Sequence, residues 1–215
     1  KDATSFYLQA LASQEILRIL NIEAKGVCSL FTADAHSVQS LLGGKVDGIV
    51  TSPPYFDALD YVGFSRLPMR ILELDLNGKR LELGTIGSKN RIASDTDMWS
   101  LCDLLPDSGR LLLDQLLKAG RERKARVVLQ YLLDMSDCLQ MFFNVLKEDG
   151  RIIFVVGRYH NWTIGDNNVL FDGAQVLTEI GESVGLRLED RLSHNISKIE
   201  AGRRIKEESI IIWRK

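Results

Sequence analysis

Cysteine is scarce in this sequence. The three present, Cys28, Cys102 and Cys138, are odd in number and widely spaced. They form neither a disulfide framework nor a zinc pattern, and they fit a reducing, cytoplasmic compartment. Histidine is equally sparse. His36, His160 and His194 share no ligand spacing, so no metal is expected. An excess of charge of either sign is missing too: the formal net charge is -2. Nothing global therefore draws the chain toward nucleic acid, and any such binding has to come from a local patch. No apolar run reaches transmembrane length and no signal-peptide pattern opens the sequence, so no membrane association is expected. Internal repeats and low-complexity segments are absent. What remains is ordinary for a globular protein, with 45% hydrophobic and 26% charged residues. At 215 residues a single domain spanning 1–215 is expected.

Apolar spacing outlines the elements. Phe6, Leu8, Leu11, Ile16, Leu17, Ile19 and Leu20 predict a helix over 3–24. The run "VCSLF", 27–31, predicts a buried strand, and "TADAHSVQSLL" a loop entering a short helix stopped by Gly43-Gly44. "VDGIV", 46–50, predicts a second buried strand, completing a parallel βαβ unit. Helix is expected over 57–76, mixed polar turns over 77–110, and helix again in one or two pieces over 111–147. "RIIFVVG", 151–157, is the clearest strand; a polar loop, a helix over 172–184 and strands near 186–191 and 208–214 follow. The last two strands have no helix between them and are expected to pair antiparallel. The fold class is α/β, a Rossmann-like sheet with helices on both faces. Ligands in such sheets gather at the carboxyl ends of the strands. Asp34, "TSPPY" and Gly157 fall there.

Proline is rare, four residues in all, yet Pro53 and Pro54 stand side by side in Thr51-Ser52-Pro53-Pro54-Tyr55. Two prolines fix φ and delete two backbone donors, which leaves carbonyl acceptors aimed in a set direction. Ser52 adds a small polar group and Tyr55 a flat aromatic face. Acceptors beside a stacking face suit a planar ring bearing an NH2 group, such as a nucleobase with an exocyclic amine. Acceptors holding the amine hydrogens free the nitrogen lone pair for attack on an activated methyl. The plainer alternative is that the prolines simply end a strand in a turn and Tyr55 packs in the core.

"TSPPY" after an apolar strand resembles motif IV of the S-adenosylmethionine-dependent DNA amino-methyltransferases, whose serine form is typical of the N4-cytosine enzymes. "FTADAH", 31–36, is similar to their motif III, "LKEDGRIIFVVG", 146–157, to motif VI, and "RIKEESIIIWRK" to their closing strand. "TSPPYFDALDYVGFSRLPMRILEL" followed by "TIGSKN" resembles a subgroup of prokaryotic DNA methylases. The resemblance covers most of 27–215. It implies methyl transfer from S-adenosyl-L-methionine to a base amine of double-stranded DNA, N4 of cytosine ahead of N6 of adenine, with the base flipped out of the duplex. It also implies a prokaryotic, nucleoid-associated enzyme of the restriction-modification kind. Ser52 and the carbonyl of Pro53 would accept from the amine, with Pro54 fixing the turn, and Tyr55 would stack on the base. Asp34 would bond the cofactor adenine with Ala35 beside it, and Thr51 would lie near the cofactor's methionine end. Asp34 read by itself is equally a helix cap.

The family's glycine-rich cofactor loop, of the D-P-F-x-G-S-G kind, has no counterpart here. Gly43-Gly44 and "GDNNVLFDG" stand in the wrong context, and Asp2 is at most a remnant of the ribose-binding acid. The sequence opens on Lys1 rather than Met. An excerpt, a companion chain or N-terminal segment carrying the cofactor loop, and a degenerate homologue all remain open. A companion is the expectation, since the bare sheet edge is a liability. Other readings are a methyltransferase acting on an RNA base or a protein amide, and a non-catalytic subunit of a DNA-modification complex. "KAGRERKAR" groups Lys118, Arg121, Arg123, Lys124 and Arg126, and a second basic loop holds Arg203, Arg204 and Lys206. Both could contact phosphates or be solvated faces. The stretch 77–135 is longer than the fold needs. It reads as an inserted lid or target-recognition element, or a dimerisation arm.

Overall fold

The computed structural model describes residues 26–31, 33–55, 61–73, 84–93, 98–164, 167–195 and 207–215. The expected helix at 3–24, Asp2, and the basic loop with Arg203, Arg204 and Lys206 lie outside the described residues. The chain divides into two units, Lys1–Ala33 and Asp34–Lys215. In the first, the described residues carry no regular structure. Val27, Leu30 and Phe31 are exposed, Val27 at 99%. The predicted buried strand at 27–31 is therefore corrected. Valine and phenylalanine favour strands only where a neighbouring strand supplies hydrogen bonds and a face to pack on.

The second unit holds the sheet. A short 3-10 turn, Ala35–Ser37, runs into α1, Val38–Leu41, as expected. Strand β1 follows at Val46–Thr51, then α2, Tyr61–Ile71, and α3, Met98–Cys102. Two longer helices, α4 (Asp107–Lys118) and α5 (Glu122–Val145), lead into β2 (Leu146–Gly157). Then come β3 (Tyr159–Ile164), β4 (Asn167–Asp172), α6 (Gly173–Ser183), β5 (Arg187–Asn195) and β6 (Glu207–Arg214).

The main sheet has the order β1-β2-β6-β5. β1 runs parallel to β2, while β6 is antiparallel to both β2 and β5. The fold class is thus α/β, with the antiparallel closing strands read from the sequence. On one face Ile152, Phe154, Ile211 and Trp213 are completely buried. Phe154 stands edge-on between Phe142 of α5 and Trp213. On the same face α6 comes so close that a Cβ at Gly181 would sit 2.6 Å from the Trp213 indole nitrogen. Leu112, Leu116, Leu129, Leu132 and Met135 extend this core through α4 and α5, so 107–135 of the expected insertion contributes to the core.

Two further expectations change. β1 was read as buried, yet among the described residues it is an edge strand, and Val50 is 75% exposed. An apolar run cannot reveal on its own whether a second neighbour flanks it. The loop expected after Gly157 is instead a hairpin, with Tyr159 opposite Asp172 and Ile164 opposite Asn167. Its polar composition hid the strands, although Gly165-Asp166 is a two-residue hairpin signal.

Candidate active site

The proline pair stops the ladder where β1 ends. Thr51 is the last residue paired with β2, opposite Phe154. Pro53 and Pro54 have no N–H to continue the pairing, so the chain turns off the sheet at the carboxyl edge. Three separate elements then hold the turn. The Ser52 hydroxyl donates to the Val155 carbonyl of β2 at 3.1 Å, with Tyr55 Oη at 3.5 Å. The Tyr131 hydroxyl, from α5, donates to the Pro54 carbonyl at 3.0 Å. The Tyr55 hydroxyl donates to Glu208 Oε1 of β6 at 2.7 Å. Pro53 is buried and Ser52 is exposed.

Directionality matters here. A serine hydroxyl has one hydrogen and two lone pairs. With the hydrogen spent on Val155, Ser52 Oγ meets an incoming group as an acceptor. With the Pro54 carbonyl occupied by Tyr131, that oxygen is engaged internally. Tyr55, Tyr131, His160 and Phe171 line a small, mainly apolar hollow beside the turn. His160, expected in a loop or at the surface, is a half-buried β3 residue whose ring lies 6.1 Å from that of Phe171.

The segment 84–93, containing the "TIGSKN" run, lies against the same turn. Gly87 has φ +80, and a Cβ there would meet Pro54 at 3.5 Å and Tyr131 at 3.8 Å. Arg91 anchors this segment. Its Nε and Nη2 reach the two oxygens of Asp134 at 2.6 and 2.7 Å, and Gln130 adds a bond at 2.9 Å. Asp134 is buried. The pairing holds the Arg91 guanidinium above its ordinary range.

Asp34 caps the 3-10 turn. Its Oδ1 accepts from the His36 amide at 2.8 Å and lies 2.7 Å from His36 Nδ1. These bonds, the backbone one first, hold its carboxyl below the ordinary value. An acceptor-only carboxylate calls for the proton on Nδ1, which leaves Nε2 facing Cys138 Sγ of α5 at 3.9 Å. Asp, His and Cys in line could suggest a nucleophile. Burial, with Asp134, Asp137 and Asp34 nearby, instead pushes the Cys138 thiol up to about 11, so it stays protonated at neutral pH. The cap reading of Asp34 holds; Ala35 is exposed as the first residue of the turn.

The basic run occupies the start of α5. Arg121 and Arg123 are exposed, and Arg123 reaches Lys89 O and Asn90 Oδ1 at 3.4 Å. Lys124 is half-buried. Arg126 is committed to the fold, donating twice to the Ala93 carbonyl. Among the described residues no cluster of His, Cys, Asp and Glu could hold a metal ion. No described helix is long and apolar enough to cross a membrane.

No family profile matches the sequence, and no curated protein matches it. Solved structures do. A Thermus thermophilus protein, provisionally assigned as a DNA modification methylase and crystallised with S-adenosyl-L-methionine, aligns over 88% of this chain and 54% of its own. The TM-score is 0.46 at 16% identity. A second crystal structure of the same protein gives 0.44 at 16% identity over the same shares. Its selenomethionine derivative aligns over 40% of this chain and 36% of its own, at 0.32 and 19% identity. The chain spans about half the length of the structures it matches, or less.

Sequence reasoning brought Ser52, Pro53, Pro54 and Tyr55 to one turn, and they lie there together at the strand end. It missed Tyr131, Arg91, Asp134 and Glu208. No local pattern marks Tyr131 or Asp134, since both sit in an apolar helix. Glu208 carried a weak signal, as an acid opening a strand of isoleucines.

Proposed function

We propose that this chain carries the acceptor side of an S-adenosyl-L-methionine-dependent DNA amino-methyltransferase. The favoured target is N4 of cytosine, flipped out of the duplex. The observation carrying this reading is the exposed Ser52 hydroxyl at the strand end, whose hydrogen has an internal acceptor in the Val155 carbonyl, leaving the oxygen to accept from an incoming amine. In this reading Ser52 Oγ and the Pro53 carbonyl accept the two amine hydrogens. Pro54 is held by Tyr131, Tyr55 stacks on the base, and catalysis is chiefly positioning.

The cofactor supplies an electrophilic methyl when bound. Asp34 fits its adenine end: the carboxylate is 62% exposed and ionised, and can accept from an amine. Ala35 and Thr51 complete that side. Among the described residues nothing offers a glycine cradle for the amino-acid end, so we assign that part to a companion chain or segment. Arg121, Arg123 and Lys124 are assigned to DNA phosphates, as are Arg203 and Arg204. Cations at a helix N-terminus oppose the helix dipole, so the α5 set is not there for the helix. The parts of 77–135 outside the core serve as the lid or recognition element of a single catalytic domain, and the reading places the protein in the cytoplasm.

Calorimetry with S-adenosyl-L-methionine, followed by mass spectrometry of nucleosides from treated duplex DNA, tests the proposal. Binding and N4-methylcytosine are expected. Binding without transfer to any nucleic acid or protein amide favours the non-catalytic subunit. Failure to bind, alone and with its companion chain, defeats the enzyme reading.

A further inference from the structure

Glu208 stands 153 residues after Tyr55, yet its Oε1 accepts the Tyr55 hydroxyl at 2.7 Å. The strand that presents it is an inner strand of the main sheet. β6 is paired on both sides, and Glu208 is matched to Gly157 of β2 and His194 of β5. Its neighbour Glu207 is used differently, holding Arg158 Nη1 at 2.5 Å. Successive strand residues point to opposite faces, so the two glutamates divide their work by geometry. A carboxylate beside a site that receives nucleic acid also repels phosphate. Its place there calls for a purpose other than charge attraction.

We propose that Glu208 is a positioning residue that fixes the direction of the Tyr55 ring axis and, because a phenol O–H prefers to lie in the ring plane, biases that plane as well. A tyrosine side chain turns about two bonds. Packing at the wall of the hollow leaves a residual swing, and a charge-assisted bond at the hydroxyl anchors the far end of the ring against it. Glu208 thereby presets the stacking face before substrate arrives, lowering the ordering cost of binding. The kinetic part of this inference rests on the methyl-transfer reading; the structural part does not.

The two are tested separately. In protein labelled with 13Cε-tyrosine, whose Cε–H bonds lie off the ring axis, the Tyr55 resonance is identified by its loss in Tyr55→Phe. Glu208→Ala is expected to move that resonance and lower the ring order parameter, and Glu208→Gln, which still offers a carbonyl acceptor, to retain most of the wild-type ring order. An unmoved resonance and unchanged order in Glu208→Ala overturn the proposal, whether or not the protein transfers methyl groups. In the transfer assay, Glu208→Ala and Tyr55→Phe are each expected to lower kcat/KM for duplex DNA about tenfold, with the KM for S-adenosyl-L-methionine unchanged. Their combination is expected to be no worse than either alone, and Glu208→Gln to recover most of the loss. Multiplying losses, or no loss in Glu208→Ala, overturn it. If the wild type transfers no methyl while the resonance behaves as expected, the methyl-transfer reading fails and the positioning role stands.

Discussion

Four residues, Ser52 to Tyr55, are tied to three separate elements: Ser52 to β2, Pro54 to α5 and Tyr55 to β6. Asp34, on the cofactor side of the proposed site, is tied mainly to His36 two residues away. One turn takes its shape from the tertiary fold, the other from its own local sequence. A stacking platform and a pair of aimed acceptors need angular accuracy, which distant restraints provide. A carboxylate meeting an amine tolerates more freedom, and a local cap is enough. Helix α5 joins the two. Tyr131, Asp134 and Cys138 recur at helical spacing and face Pro54, Arg91 and His36 in turn.

The contrast can be broken most severely at Asp134. Asp134→Ala leaves the Arg91 guanidinium without its bidentate partner and releases the segment over Pro54. We expect a loss of about 3 kcal/mol, the low end for breaking a buried pair, because Arg91 is 27% exposed. Urea unfolding measures it, and a change below about 1 kcal/mol would show the pair to be dispensable. Tyr131→Phe is gentler. It removes one bond from the acceptor turn alone and should cost about 1 kcal/mol. Hydrogen exchange at the Tyr55 amide should quicken while the Asp34 turn stays unchanged. Equal quickening in both turns would contradict the distinction between them.

The smallest effect belongs to the local cap. Asp34→Ala should cost about 0.5 kcal/mol, the lower limit for a cap, since the turn is short and exposed. The pH dependence has a definite sign. Because the folded carboxyl titrates below its ordinary value of 3.8, its contribution is complete above that value. It is lost as the pH falls through the lower folded value. The difference in stability between wild type and Asp34→Ala should therefore shrink as the pH falls below 3.8. A difference that fails to shrink below pH 3.8 would refute the cap.

Much of the sheet could be read from the chain because its central strands announce themselves. "RIIFVVG" and "ESIIIWR" are β-branched runs, and their antiparallel pairing followed from the missing helix between the last two strands. "VCSLF" has the same local character and forms no strand, because strand formation depends on a partner and the partner is not written in those five residues. The hairpin at 159–172 shows the reverse case, polar residues paired through their backbones. At the site, the turn chemistry of Pro53 and Pro54 was legible because proline acts on its own backbone. Tyr131 and Glu208 were not, because their value to the turn exists only once α5 and β6 are brought beside it.

The central claim is that the Ser52–Tyr55 turn is where an amine is methylated. It is tested most directly by supplying radiolabelled S-adenosyl-L-methionine and duplex DNA to the wild type and to Ser52→Ala combined with Tyr55→Ala, with any companion chain present. Label in N4-methylcytosine from the wild type, cut at least a hundredfold in the double variant (about 3 kcal/mol of transition-state stabilisation), is the predicted result. Undiminished transfer by the double variant would contradict it.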